Sequence, residues 1–161
     1  MILQLAQLNE FRKQNSSKTI VLLGGVFDII HPGHIDYLEA ARRIADIVVV
    51  AVCPDKQVRV LKGTGRPVQE EGSRMKILSK LAMVDAVVLG ETTDDKDASG
   101  IAVMPIVKML RPDYLLTINK KDNSALRQLK ELGVELVVLD IVKLDSSTEI
   151  LRRLDTAYGS K

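Results

Sequence analysis

The two histidines of the chain, His31 and His34, stand three residues apart, behind an apolar run that ends in two glycines. Positions i and i+3 of a helix face the same side, so both imidazoles can point at one ligand. Pro32 suits the first turn of a helix, because the N–H that proline lacks would have no partner there. A helix start also offers free N–H groups and a positive potential, which together bind anions. The pattern predicts a phosphate site with two titratable donors, and no nucleophile is apparent in it.

Three glycines lie around this pair. Gly24 and Gly25 leave room at the end of the apolar run, and Gly33 removes a side chain where a ligand could approach the backbone. Two other interpretations stay open, because His-x-x-His is also half of a metal site and histidines can be purely structural. Zinc is disfavoured, since the chain has no third histidine and its one cysteine, Cys53, lies well beyond the pair.

The composition limits the classes of function. The chain has 161 residues, 46% hydrophobic and 27% charged, which predicts one globular domain over residues 1–161. Aromatic residues make up only 3%, too few for stacking on nucleic-acid bases to be a main binding mode. A formal net charge of +2 favours neither a nucleic acid nor a membrane as partner. No apolar run approaches ~20 residues and no basic segment precedes the first apolar residues, so we expect a cytoplasmic protein.

Hydrophobic periodicity divides the chain into alternating helices and strands. Ile2, Leu5, Leu8 and Phe11 recur at helical spacing, which predicts an N-terminal helical extension over residues 2–14. Continuous apolar runs, typical of strands buried on both faces, cover residues 19–23, 47–52, 86–89, 114–118 and 134–139. Helical patterns cover residues 33–45, 73–81, 101–110, 122–132 and 146–158, and residues 55–72 are predicted to be a loop with at most one short helix.

This alternation indicates an α/β fold. We expect a single Rossmann-like domain of about five parallel strands with helices on both faces. In such sheets ligands bind at the carboxyl ends of the strands, at the point where the strand order reverses. The turns that follow the strands are therefore where the functional residues are expected.

Residues 25–34 read Gly-x-Phe-Asp-x-x-His-x-Gly-His directly after the first long apolar run. This stretch resembles the signature of the cytidylyltransferase-like nucleotidyltransferases, which are small α/β enzymes with a HUP-type fold related to class I aminoacyl-tRNA synthetases. Within that family, Leu61–Pro67 (Leu-Lys-Gly-x-Gly-Arg-Pro), Arg74 and Met83–Asp85 look most like the adenylyltransferase domain of bacterial ADP-heptose synthase. The stretch Ser146–Thr148 is similar to the family's Ser-Thr-Thr at the start of the last helix.

The resemblance implies nucleotidyl transfer. A phosphate oxygen of a small phosphorylated acceptor would attack the α-phosphorus of a nucleoside triphosphate, and pyrophosphate would leave. ATP with a heptose 1-phosphate is the favoured pairing, and CTP with glycerol 3-phosphate is the near alternative. Adenylyl transfer to a flavin or pantetheine phosphate is a further one. The resemblance also implies Mg²⁺ bound with the triphosphate, and a homodimer.

The same resemblance implies a set of site residues. His31, His34 and Lys62 would be catalytic, and Lys62 would lie in a glycine-bearing loop able to close over the phosphates. Asp28 would orient Mg²⁺ or the backbone turn, and no separate metal site is expected. The full set of implied nucleotide-binding residues is Gly24, Gly25, Val26, Phe27, Asp28, Gly33, Arg66, Arg74, Asn119, Ser146, Ser147 and Thr148.

The segment after the fourth predicted strand departs from the resemblance. Heptose-type adenylyltransferases carry Lys-Gly-Gly-Asp there, whereas this chain reads Thr-Ile-Asn-Lys-Lys-Asp over Thr117–Asp122. The glycines that let the backbone approach a nucleotide are absent. Lys143 stands where related cytidylyltransferases carry an arginine, and a lysine lacks the bidentate fork. A nucleotide-binding relative without catalytic activity is therefore the alternative function.

Overall fold

The computed structural model describes residues 1–92, 103–118, 123–140 and 147–158. In these ranges six strands form one sheet in the order β1-β4-β3-β2-β5-β6, and all neighbours are parallel. The strands are β1 (Ile2–Leu3), β2 (Ile20–Gly25), β3 (Ile47–Val52), β4 (Ala86–Leu89), β5 (Tyr114–Thr117) and β6 (Glu135–Val138). The predicted α/β class is confirmed. The five expected strands are all present, and β1 is added to them.

Helices connect the strands. Within the described ranges they are α1 (Leu8–Gln14), α2 (Pro32–Ile44), α3 (Asp55–Lys62), α4 (Glu71–Leu78), α5 (Val103–Leu110), α6 (Asn123–Glu131) and α7 (Ser147–Tyr158). Helix α3 occupies the first half of the segment that was predicted to be mostly loop. No helix in these ranges is long and apolar enough to cross a membrane.

The first residues differ from the predicted helix over residues 2–14. Ile2–Leu3 pairs with β4, a 3₁₀ turn follows, and the α-helix begins only at Leu8. Leu8 and Phe11 are buried, as their spacing predicts. The N-terminal residues instead satisfy the backbone of the outer strand β4, where the N–H of Val87 donates to the carbonyl of Met1 at 2.9 Å. Unpaired edge groups of a sheet favour such an added strand.

The hydrophobic core has two layers, one on each face of the sheet. Alternate residues of a strand point to opposite faces, so strands β2 to β6 contribute to both layers. One layer joins the sheet to α1, α3, α5 and α6, and the other joins it to α2 and α4. Strand β3 lies between them with every residue buried, which is why its sequence reads as a continuous apolar run.

The order of strands reverses at β2. The chain proceeds from β2 to β3 and β4 on one side, and then returns to place β5 on the other side of β2. Parallel α/β sheets open a crevice at such a point, outside the carboxyl ends of the strands. Here that crevice lies between the ends of β2 and β5. We refer to this side of the sheet as the carboxyl edge.

At the opposite side, the amino edge, three aspartates stand directly before strands. Asp46, Asp85 and Asp113 precede β3, β4 and β5. Their carboxylates accept backbone N–H groups at the strand starts, those of Thr19 (2.9 Å), Val48 (2.8 Å) and Ile20 (2.7 Å) respectively. Each side chain therefore satisfies a donor that the sheet itself leaves unpaired.

Arginines complete two of these contacts. Arg42 pairs with Asp85, and Arg12 lies 3.2 Å from Asp113. The third aspartate has a different partner, because the backbone N–H and hydroxyl of Thr19 both donate to it. These bonds hold the pKa of Asp46 below its usual value. The amino edge is thus fastened by side-chain bonds that bridge elements distant in sequence.

Candidate active site

The loop between β2 and α2 begins with a close contact at Gly25. A Cβ added at Gly25 would stand 2.7 Å from the ring of Phe27, so a larger residue would force that ring to move. Phe27 has a φ of 52°, which L residues rarely adopt, and it is 1% exposed. Gly24 and Gly25 pair with Ala51 and Val52 at the end of β3. Gly25 therefore makes room for a buried ring that lies next to His34.

The two histidines lie at the start of α2. His31 is the N-cap, Pro32 is the first helical residue, and Gly33 separates them from His34. The imidazole rings stack, with centroids 3.7 Å apart and planes inclined by 26°. The ring of Phe27 lies 5.0 Å from that of His34. Both imidazoles are thus held side by side at the start of the helix, as the spacing predicts.

Burial is the main cause that lowers the pKa of His34 from 6.5 to about 4. The charges of His31 and then Lys62 lower it further, and a hydrogen bond with the backbone of Ile29 opposes the change. His34 is therefore a neutral imidazole near neutral pH, with one donor and one acceptor nitrogen. An anion bound beside the ring would stabilise the protonated form and raise the pKa.

Lys62 ends α3 and is followed by Gly63, whose φ of 86° stops the helix. The Lys62 side chain is exposed, and its charge acts on both His34 and Cys53. Because Cys53 directly follows β3, Lys62 lies at the carboxyl edge with the histidines. The structure thus brings the three side chains expected to be catalytic into one region. Burial raises the pKa of the Cys53 thiol to about 11, so this residue is not an activated nucleophile.

The start of α7 reaches the same loop from far along the chain. Ser147 is the first residue of α7, and its hydroxyl donates a long hydrogen bond of 3.5 Å to the carbonyl of Ile29. Ser147 is buried, whereas Thr148 is exposed. Two helix starts, those of α2 and α7, therefore flank one loop. Ser146 and Asn119, also expected at the nucleotide, lie outside the described residues.

Asp28 does not face the space expected for a nucleotide or Mg²⁺. It is 0% exposed, and its carboxylate accepts hydrogen bonds from Nε of Arg66 at 2.8 Å and from the N–H groups of Val68 and Gln69. These donors saturate the carboxylate, so the structure favours the expected alternative, in which Asp28 orients backbone. Arg66 likewise faces Asp28, and its side chain is only 11% exposed.

Arg74, which was expected to bind a phosphate, lies fully buried among partners from its own chain. Its side chain is 0% exposed, and its guanidinium donates to the carbonyls of Gln69 (2.9 Å), Val26 and Cys53 (2.7 Å) and to the carboxylate of Asp55 (2.6 Å). These four bonds use four of the five N–H donors of an arginine. Arg74 therefore joins the chain segments that follow β2 and β3, and it does not present its charge to a ligand.

The prediction missed Tyr37, which lies on α2 one turn beyond His34. Its buried hydroxyl donates to the carbonyl of Leu116 in β5 at 2.8 Å. Burial raises the pKa of this hydroxyl, so it stays protonated. The bond fixes the histidine-bearing helix α2 to strand β5. A tyrosine three positions after His34 was the available sequence signal, since that spacing puts both on one helix face.

Comparison with known proteins identifies the relatives of this site. Residues 22–153 match the cytidylyltransferase-like family. The bifunctional protein HldE of Desulfatibacillum aliphaticivorans is 34% identical over 155 residues, which is 94% of this chain and 30% of that protein. HldE of Streptomyces coelicolor is 39% identical over 139 residues, which is 84% of this chain and 28% of that protein. The chain thus spans less than a third of the length of these relatives.

Solved structures of other proteins are also similar to this chain. The lipopolysaccharide core biosynthesis protein from Thermoplasma volcanium has a TM-score of 0.61 and 30% identity, covering 80% of this chain and 99% of that one. The pantoate-beta-alanine ligase from Francisella tularensis has a TM-score of 0.56 at 15% identity, covering 86% of this chain and 66% of that one, and shows a shared fold only. The family expected from residues 25–34 is confirmed: this chain belongs to the cytidylyltransferase-like family of nucleotidyltransferases.

Proposed function

We propose that the protein transfers a nucleotidyl group from a nucleoside triphosphate to a small phosphorylated acceptor and releases pyrophosphate. The observation that carries this proposal is the stacked pair of His31 and His34 at the start of α2, with the charge of Lys62 beside it. Such an array offers hydrogen-bond donors and positive charge to a polyphosphate. Membership of the cytidylyltransferase-like family supports the same class of reaction.

In the proposed reaction, a phosphate oxygen of the acceptor attacks the α-phosphorus of the triphosphate. A P–O bond to the acceptor forms, the P–O bond to the β-phosphate breaks, and pyrophosphate carries away the bonding electrons. The protein positions the reactants and stabilises charge on the phosphate oxygens. The histidines donate N–H groups, Lys62 supplies a positive charge, and Thr148 at the start of α7 offers a hydroxyl. No side chain forms a covalent bond to the substrate.

Mg²⁺ enters this proposal as part of the nucleotide substrate. In the described ranges, no group of three His, Cys, Asp or Glu side chains stands close enough together to hold a metal ion. The Asp28 carboxylate is occupied by Arg66 and two backbone N–H groups. Mg²⁺ held by phosphate oxygens and water requires no protein cage, because the ion keeps much of its hydration shell.

We propose ATP as the nucleotide and a sugar 1-phosphate of the heptose type as the acceptor. The likeness to HldE proteins over almost the whole chain supports this pairing, as does the likeness to a lipopolysaccharide core biosynthesis protein. The segment Leu61–Pro67 carries the resemblance to adenylyltransferases of that type. CTP with glycerol 3-phosphate is the pairing against which it is tested.

A second candidate function is nucleotide binding without catalysis. The observation that favours it is the sequence after β5, where Thr117–Asp122 lacks the two glycines of heptose-type adenylyltransferases. Side chains in place of glycine keep a nucleotide further from the backbone. This candidate preserves the histidine site but predicts no turnover.

A pyrophosphate-release assay tests both candidates. The protein is incubated with Mg²⁺, one of the four nucleoside triphosphates and either a heptose 1-phosphate or glycerol 3-phosphate. We expect release with ATP and the sugar phosphate, and we expect Lys62→Ala to weaken triphosphate binding with a smaller loss of turnover than a histidine variant. Nucleotide-dependent thermal stabilisation without release would favour the non-catalytic candidate. If no nucleotide stabilises the protein and none gives pyrophosphate release, both candidate functions are contradicted.

We also propose a homodimer, on the basis of the resemblance to the family. Sedimentation equilibrium of the purified protein checks this directly, because a monomer of this chain weighs 17.8 kDa.

A further inference from the structure

The buried carboxylate of Asp28 binds residues 66–69, a segment distant from it in sequence. Nε of Arg66 lies 2.8 Å from Oδ2, and Nη2 of the same arginine is also 2.8 Å from that oxygen. The backbone N–H groups of Val68 and Gln69 donate to Oδ1 at 2.8 and 2.9 Å. Asp28 is three residues before His31, so residues 66–69 are fastened directly to the loop that carries the histidines.

We propose that Asp28 and Arg66 form a positioning latch, which fixes residues 66–69 against the histidine loop and thereby limits the movement of the glycine-bearing segment 63–65 that follows Lys62 at the end of α3. Asp28 and Arg66 act through this placement and do not touch the substrate. The inference rests on the proposed function, since it concerns how that same site is assembled.

The segment between Lys62 and Arg66 explains why a latch matters. Gly63 and Gly65 both have a positive φ, 86° and 89°, and a Cβ at either would meet no atom within 4 Å. This stretch is therefore not held by packing. Its path is set by its two ends, helix α3 on one side and the Arg66 contact with Asp28 on the other.

A second contact holds the latch from the other side. Nε of Arg74 donates to the carbonyl of Gln69 at 2.9 Å, and the same guanidinium donates to the carbonyl of Val26 in the histidine loop. Residues 66–69 are therefore bound both by their N–H groups, through Asp28, and by a carbonyl, through Arg74. This arrangement specifies one placement of the segment relative to the loop.

The two positive charges at the ends of this segment, those of Lys62 and Arg66, have different surroundings. Arg66 is neutralised by Asp28, and its side chain is 11% exposed. The Lys62 side chain is exposed, and its charge lowers the pKa of His34. Removal of one partner of a buried ion pair leaves the other charge uncompensated. Loss of Asp28 would therefore release Arg66 and, with it, one end of the glycine-bearing segment that follows Lys62.

The test compares Asp28→Asn with Asp85→Asn. Asp85 is a matched control, because its carboxylate also accepts a backbone N–H and an arginine, but at the amino edge. We expect both variants to melt at a lower temperature. Only Asp28→Asn should raise the KM for the triphosphate, by roughly tenfold, and lower kcat/KM by roughly 10²-fold, the loss that a small misplacement of a reacting group causes.

Arg66 variants complete the test, because they open the same contact from its other side and keep the Asp28 carboxylate that accepts the N–H groups of Val68 and Gln69. Arg66→Ala should reproduce the KM increase, and Arg66→Lys, which keeps the charge beside Asp28, should restore part of it. In the double variant of Asp28→Asn and Arg66→Ala, kcat/KM should fall no further than in the worse single variant, because both changes open one latch. Additive losses, or a KM unchanged in both single variants, would overturn the proposal.

Hydrogen exchange without nucleotide separates this inference from the proposed function. The amides of Val68 and Gln69 should exchange faster in Asp28→Ala, which removes their acceptor oxygen, than in the wild type and in Asp85→Ala. Unchanged exchange in Asp28→Ala overturns the latch even if the wild type is active. Conversely, a wild type that releases no pyrophosphate contradicts the proposed function, while faster exchange in Asp28→Ala would still support the latch.

Discussion

The two edges of the sheet use charged side chains in different ways. At the amino edge, Asp46, Asp85 and Asp113 each accept a backbone N–H at a strand start, and two of them also pair with an arginine. At the carboxyl edge, His34 stays neutral and Lys62 stays exposed. Side chains saturated by the protein stabilise the fold, whereas those whose donors can reach a ligand are the ones suited to chemistry.

The carboxyl edge itself contains both kinds of side chain, those bonded within the protein and those available to a ligand. Asp28 and Arg74 belong by sequence to the motif segments, yet their contacts resemble those of the amino edge, because both side chains are fully buried and bonded to backbone groups. Position near an active site is therefore a weaker guide to function than the partners of each polar atom.

The largest expected difference between the two edges is in turnover, which should depend on residues of the carboxyl edge. His34→Ala should lower kcat by roughly 10²–10⁴-fold, because it removes a donor to the phosphate oxygens in the transition state. Its melting temperature should change little. Steady-state pyrophosphate release with the best nucleotide and acceptor measures this, and normal turnover in the variant would show that the assigned role is wrong.

The edges should also lose stability in different pH ranges. His34 has a pKa near 6.5 when unfolded and about 4 when folded, so between these values the unfolded state binds more protons. Stability should therefore be complete above about pH 6.5 and fall by on the order of 3 kcal/mol towards pH 4. Asp46, whose pKa is lowered in the folded state, contributes stability that is lost only at still lower pH.

Urea unfolding of the wild type and of His34→Gln at several pH values checks this prediction. The variant should lack most of the loss between pH 6.5 and 4, because it has no imidazole to protonate. An equal loss in both proteins would assign the transition to other groups.

At the amino edge we expect an effect on stability alone. Asp113→Ala removes the acceptor for the N–H of Ile20, which is fully buried, and the partner of Arg12. An unsatisfied buried donor costs about 1–3 kcal/mol. Asp113→Asn, which keeps an acceptor oxygen, should lose less. Denaturant unfolding gives both values, and a change in kcat/KM of the folded variants would break the division between the edges.

The smallest effect is expected for Tyr37→Phe, which removes one hydrogen bond between α2 and β5. The net contribution of such a bond is about 1 kcal/mol. The variant should melt at a slightly lower temperature and keep its turnover within a few-fold. A loss as large as that of His34→Ala would instead place Tyr37 among the groups that the reaction itself requires.

The sequence predicts the sheet well for a physical reason. Strands buried on both faces read as continuous apolar runs, and the bounds predicted for residues 47–52 agree with β3. The histidine pair is predicted equally well, because helical spacing and Pro32 are local signals. Strand β1 is not predicted, because Ile2 and Leu3 also fit a helical pattern. These residues form a strand only because they pair with β4, which is distant in sequence.

The roles of the charged residues could not be predicted in the same way. Asp28 meets Arg66 across 38 positions of sequence, and Arg74 meets Val26 across 48. Whether a guanidinium binds a phosphate or a carbonyl of its own chain depends on the folded positions of both, which no local pattern encodes. Lys62 differs from its prediction in the same way, since it ends helix α3 and the glycine-bearing loop begins only after it.

The two-residue strand β1 has a consequence for how copies of this protein behave towards each other. By pairing with β4 it covers part of a row of backbone donors and acceptors that could otherwise join a second molecule. A fragment beginning after Leu3 would keep the histidine loop but would expose the apolar strand β4 at the edge of the sheet. Such a fragment should still bind nucleotide but should aggregate through the exposed strand. Poor solubility of a shortened protein is therefore no sign that its histidine site is damaged.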